Sequence, residues 1–114
     1  MKVVKVAVTA QGPGLEAEVD SRFGRCTYFV IKEMVTGEVE TVANEPGTSG
    51  AGIEAAQLLA RAGVEAVITG HLGPKAGRAL AAAGIAAYQH TGGTVAGAFA
   101  ALEAGELAPI GNPV

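Results

Sequence analysis

The chain opens with apolar runs that read as strands and closes with apolar periods that read as helices. "KVVKVAVTA" (residues 2–10) is β-branched and almost continuously apolar, the pattern of a buried strand. "QGPGLEAEVDSRFGR" follows as a loop punctuated by Gly12, Pro13 and Gly14. "CTYFVIKE" (26–33) predicts a second strand. A turn at Thr36 and Gly37 then leads into "EVETVA", whose alternation predicts a half-exposed third strand paired as a hairpin.

After residue 46 the period changes. In "GTSGAGIEAAQLLARAG" the polar residues Glu54, Gln57 and Arg61 form one narrow stripe, which predicts a helix apolar over most of its surface. Ser49 is its candidate N-cap and Gly63 its stop. "VEAVITG" predicts a strand. "GPKAGRALAAAG" predicts a short helix with Pro74 in its first turn and Gly84 at its end. "IAAYQH" predicts a last strand. A final helix places Val95, Ala98, Phe99 and Leu102 on one face. Residues 1–108 are expected to form one domain, with 109–114 as a loose tail.

The order β-β-β-α-β-α-β-α predicts a mixed α/β sheet of five strands in the order 3-2-1-4-5, with helices on both faces. This topology gathers particular residues at one end. The first strand points up, so the 11–25 loop, the start of the second strand at Cys26, the 70–75 loop, His90 and three helix N-termini all lie at the top. Open α/β sheets bind ligands at that end, beside the switch point.

Composition sharpens the picture. The chain has 114 residues, 49% of them hydrophobic and 17% charged, with no tryptophan. A net charge of −3 argues against non-specific nucleic-acid binding. No apolar run reaches the roughly 18 residues of a membrane span. The N-terminus carries Lys2 and Lys5 and lacks the apolar core of a signal peptide, so a cytoplasmic protein is expected. A single cysteine excludes an internal disulfide and a four-cysteine cluster site within one chain.

Against that acidic balance, Arg22, Arg25, Lys75 and Arg78 fall at the top end, with Cys26, His71 and His90. Cations and helix N-termini favour an anionic ligand, and Cys and His add the capacity for soft and imidazole ligation. Each residue also has a plainer reading. Cys26 is equally a small buried hydrophobe. For His71 the plainer reading is a loop residue at a helix start, with the functional reading the stronger one, and for His90 the plainer reading is the better one. Phe23, Tyr28 and Phe29 read as core. "GTSGAG" (47–52) lacks the Lys-Ser/Thr ending of a Walker loop and reads as a turn and helix cap. Asp20, the only aspartate, has at most Glu45 near it, too few carboxylates for a two-cation nuclease site. No Ser-His-Asp set or paired-cysteine motif is present, and no enzymatic activity is expected.

"VDSRFGRCTYFVI", "GAGIEAAQLLARAGVEAVITGHLGPKA" and "AGIAAY" resemble the NifX/NifB-type dinitrogenase iron–molybdenum cofactor biosynthesis domain. The resemblance covers about residues 3–107. Its motifs are an RFGR turn and a TGxxGP loop. It implies a three-layer α/β/α, ribonuclease-H-like fold. It also implies a non-catalytic carrier that binds an iron–sulfur cofactor or precursor transiently and hands it to, or takes it from, a partner protein. The cofactor-binding residues carried over are Phe23, Gly24, Arg25 and Cys26, then Thr69, Gly70, His71, Gly73 and Pro74. Arg22 and Lys75 join them as cationic neighbours. Cys26 and His71 are the candidate metal ligands. Thr27 stands where many members have proline, and Lys75 where many have asparagine. Two other readings stay open. One is a binder of, or enzyme acting on, a phosphorylated small molecule. The other is a ligand-free interaction module in which alanine-rich helices pair two copies as a homo-oligomer.

Overall fold

A computed structural model describes residues 4–44, 51–90 and 92–110. Three antiparallel strands open the chain: β1 (Lys5–Ala10), β2 (Tyr28–Glu33) and β3 (Val39–Ala43). Then come α1 (Ala51–Arg61), β4 (Ala66–Thr69), α2 (Pro74–Ala82), β5 (Ala86–Gln89), α3 (Val95–Glu103) and a two-residue β6 (Ala108–Pro109). The sheet order is β3-β2-β1-β4-β5-β6. β1 pairs antiparallel with β2 and parallel with β4, so the predicted centre of the sheet is the observed one.

Strand alternation divides the core into two layers. Ala7, Phe29, Ile31 and Val67 face one side and meet Ala55 and Leu59 of α1 and Leu80 of α2. Val6, Val8, Val30 and Ile68 face the other and meet Val95, Ala98 and Phe99 of α3. The molecule is therefore a three-layer α/β/α sandwich. β1 and β4 are buried along nearly their whole length because both faces are covered, which explains their unbroken apolar runs.

The local stops act as their chemistry requires. Gly63 adopts φ +82°, and the amide of Val64 returns to the carbonyl of Leu59, closing α1. Pro74 begins α2, and Thr94 caps α3 by accepting from the amide of Gly97 (3.1 Å). At the β2–β3 turn Gly37 has φ +83°, and the Glu33 carboxylate accepts from the amides of Val35 and Thr36 at 2.9 and 2.8 Å.

Four expectations change. β2 starts at Tyr28 rather than at residue 26, because Cys26 and Thr27 belong to the turn that enters it. β3 is mostly exposed, since it lies at the sheet edge. A sixth strand exists: Ala108 and Pro109 pair with β5, and the amide of Ile110 donates to Ala87. The start of the tail is thus docked rather than loose. The expected cap Ser49, most of the 47–52 loop, Glu45 and the beginning of the first strand lie outside the described residues.

Candidate functional site

The long loop after β1 is tied down at nearly every step. The amide of Gln11 donates to Glu18, that of Val19 to Gly93, and that of Asp20 to Thr9. Arg22 and His71 form a parallel bridge, with the Phe23 amide on the His71 carbonyl (3.3 Å). Beneath this join lies a buried polar knot. Thr9 Oγ1 donates to the Asp20 carbonyl (2.6 Å) and pairs with Thr69 Oγ1 (2.9 Å). Gly70 is required here, because a Cβ would come within 2.8 Å of Ser21 Cα.

Small residues close the other side. A Cβ on Gly24 would lie 2.8 Å from the Gly52 amide nitrogen, and one on Gly52 would lie 2.9 Å from Ala76 Cβ. The 22–25 turn therefore meets the backbone of the first turn of α1, and that turn meets the Ala76 methyl of the first turn of α2. Between them opens a cavity of about 550 Å³. Its lining comes from Arg22, Phe23, Gly24 and Arg25, from His71, Gly73, Pro74 and Lys75, and from Ala51, Gly52, Ile53 and Ala76. Arg78 sits in a shallower hollow of about 310 Å³ that also touches Lys75 and Ile53.

Eight of the eleven expected cofactor-site residues thus line one cavity. The other three support it. Thr69 is buried in the polar knot, and Gly70 abuts Ser21. Cys26 lies in the core rather than on the lining. Its side chain is 0% exposed and packs in the core with Phe23, Phe29 and Ala55. Burial first, and the nearby Asp20 carboxylate second, push its thiol up to about 12. In this conformation the Cys26 side chain packs in the core and does not line the cavity. The plainer reading of that position is the one the structure favours.

Arg22 changes meaning as well. Asp20 is 1% exposed, and its carboxylate accepts from the Arg22 amide (2.9 Å), Nε (3.1 Å) and Nη2 (3.1 Å). The pairing pushes the guanidinium further up. Two of the five guanidinium N–H donors of Arg22 are therefore spent on a buried carboxylate, leaving the two on Nη1 and one on Nη2. The sequence signal for this pair was the isolation of Asp20 two residues before an arginine. His90 is not on the cavity wall, and its amide donates to Thr69. Only two of the three helix N-termini contribute. The start of α3 is occupied by Thr94 and by the loop after β1, where the amides of Val95 and Ala96 donate to Ala17 and Leu15. α2 differs, because its N-cap Gly73 has no side chain to satisfy the first amides.

Sequence reasoning missed Asn44, at the end of β3. Its Nδ2 donates to the carbonyls of Cys26 (2.9 Å) and Gly24 (3.2 Å). Among the described residues no three His, Cys, Asp or Glu side chains cluster as a metal site, and no helix is long and apolar enough to cross a membrane.

Comparison with known proteins agrees with this architecture. The apo form of the orange protein from Desulfovibrio gigas superposes with a TM-score of 0.92 at 42% identity, covering 99% of this chain and 98% of that one. The NMR structure of a Thermotoga protein assigned as NifB gives a TM-score of 0.85 at 36% identity, covering 94% and 93%. An uncharacterized protein of Methanocaldococcus jannaschii is 34% identical over 94 residues, which is 78% of this chain and 76% of that protein. The family model described as dinitrogenase iron-molybdenum cofactor matches residues 2–105. With nearly the whole fold, including the RFGR turn and the TGxxGP loop, inside that match, the chain belongs to the dinitrogenase iron–molybdenum cofactor family.

Proposed function

We propose that the cavity receives an anionic iron–sulfur cofactor or precursor of the iron–molybdenum type, holds it without chemical change, and passes it to a partner protein. The observation that carries this reading is the charge of the walls. Among the described residues, every charged residue lining the cavity is cationic: Arg22, Arg25 and Lys75, with His71 beside them. They stand on a net-acidic chain at the start of α2, whose uncapped amides favour negative charge. Family membership supports the class of cargo and a binding role rather than catalysis.

The burial of Cys26 refines how the cargo is held. With the thiol in the core, sulfides or carboxylates of the cargo meet charge-assisted hydrogen bonds from Arg25, Lys75 and the loop amides, and His71 offers the one imidazole on the wall. Attachment of this kind suits delivery, because release breaks no metal–thiolate bond.

The test is anaerobic incubation with isolated iron–molybdenum cofactor, then gel filtration with iron and visible absorbance read in the protein peak. Iron is expected to co-elute with wild type and Cys26→Ala and to fall in Lys75→Ala and His71→Ala. Loss in Cys26→Ala alone would restore the thiolate as a ligand. Absence of iron from the wild-type peak would end the carrier reading and favour a phosphorylated ligand for the same cationic walls, which a thermal-shift screen with nucleotides and phosphosugars would detect.

A further inference from the structure

We infer that Asn44 and Gln89 are positioning residues of the cavity: their side-chain amides hold backbone carbonyls in and next to its lining loops, so that those loops present donors to an anion. The inference rests on the reading of the cavity as an anion site. Two bridged loops contribute to the lining, and each peptide unit in them offers both an acceptor and a donor. A carbonyl oxygen turned toward an anion repels it in a partly desolvated site. Four carbonyls in or next to the lining are already engaged: those of the lining residues Gly24 and His71, and those of Cys26 and Gly70 immediately beside Arg25 and His71. Asn44 Nδ2 holds those of Cys26 and Gly24 at 2.9 and 3.2 Å and also reaches Cys26 Sγ at 3.7 Å. Gln89 Nε2 holds that of Gly70 at 3.1 Å, and the Phe23 amide holds that of His71 at 3.3 Å.

Both side chains are aimed by the sheet. The Asn44 amide donates to Thr27 (2.9 Å), extending the β2–β3 ladder one step past the Tyr28–Ala43 pair and pointing the side chain at the 24–26 backbone. Gln89 lies opposite Thr69 in the β4–β5 register and reaches across to the next residue, Gly70. Neither side chain lines the cavity, so neither touches cargo itself. An uncharged amide is suited to this work. It satisfies a carbonyl without adding a countercharge, so the site's field stays that of its cations and helix start. Asn44 engages both flanks of Arg25, which fixes the segment carrying one of the cationic groups.

The experiment uses Asn44→Leu and Gln89→Leu, with inorganic sulfate as the probe and backbone amide NMR shifts of Arg25, His71 and Lys75 as the readout. Wild type should show saturable shifts, and each folded variant should bind sulfate at least about tenfold more weakly, the factor of one hydrogen bond to a charged group. A purely structural role would leave sulfate affinity unchanged in a variant whose spectrum is folded. Equal affinity in folded Gln89→Leu, or no sulfate response in wild type, overturns the proposal. If Asn44→Leu does not fold, the exposed Gln89 position decides. Sulfate binding without co-elution of isolated cofactor would end the cargo reading and leave the positioning role intact.

Discussion

Thiol labelling of Cys26 tests the structure where it departs most from the sequence reading. An ordinary cysteine with a pKa of about 8.5 is roughly one-quarter thiolate at pH 8. A thiol pushed up to about 12 is thiolate in about one molecule in 10⁴ at that pH. Ionisation alone therefore slows reaction by roughly 2,000-fold. Full burial adds to this, because the reagent must wait for the core to open. The assay is release of the coloured thiolate from an aromatic disulfide reagent, with native protein at pH 8 compared with protein in guanidinium. Native labelling is expected to be at least about 10³-fold slower. A native rate within about tenfold of the unfolded rate would refute the reasoning. It would place the thiol at the surface, as a metal ligand would be. The same shift has a pH consequence. The folded value is raised, so the stability it contributes is complete below about pH 8.5 and is lost as pH rises toward 12. Alkaline urea melts of wild type and Cys26→Ala should converge over that window.

Gly24→Ala should destabilise by about 1–3 kcal/mol in urea melts, because its Cβ would meet the Gly52 backbone at 2.8 Å and no flexible side chain can give way; a change below about 0.5 kcal/mol would mean the turns do not touch. Thr94→Ala should cost about 1 kcal/mol through loss of the α3 cap, and Thr94→Asp should recover most of it. Glu33→Gln should matter only above the acid range. Thr36 first, and then the Val35 amide, hold the Glu33 carboxyl below its ordinary value. Its contribution is therefore present above about pH 4.3 and is lost as pH falls through the lowered value. Melts of the two proteins should differ at pH 7 and coincide near pH 2 (about two units below the ordinary carboxyl value).

Much of the fold was legible because its signals are local. The runs at 2–10 and 64–70 are apolar on both faces of the chain, as a twice-covered strand must be. Pro74, Gly63 and Gly84 marked helix boundaries through backbone preferences that act within a few residues. The order of elements, with right-handed crossovers, is enough to give the sheet order and to bring the RFGR turn and the TGxxGP loop to the same end of the sheet. What stayed hidden depends on distant partners. Cys26 begins the segment entering β2 and could as well have faced the cavity. Its burial follows from the packing of α1 over the turn, at a spacing set by Gly24 and Gly52. Arg22 looked like a free cation until the β1 loop folded Asp20 beneath it. Asn44 is an ordinary strand-end residue in sequence, and its role exists only because β3 returns beside the 24–26 backbone. Periodicity and capping are short-range and written in the chain. The burial of a thiol, the partner of a charge and the aim of an amide are set by contacts between segments far apart in sequence, which only the assembled sheet and helices create.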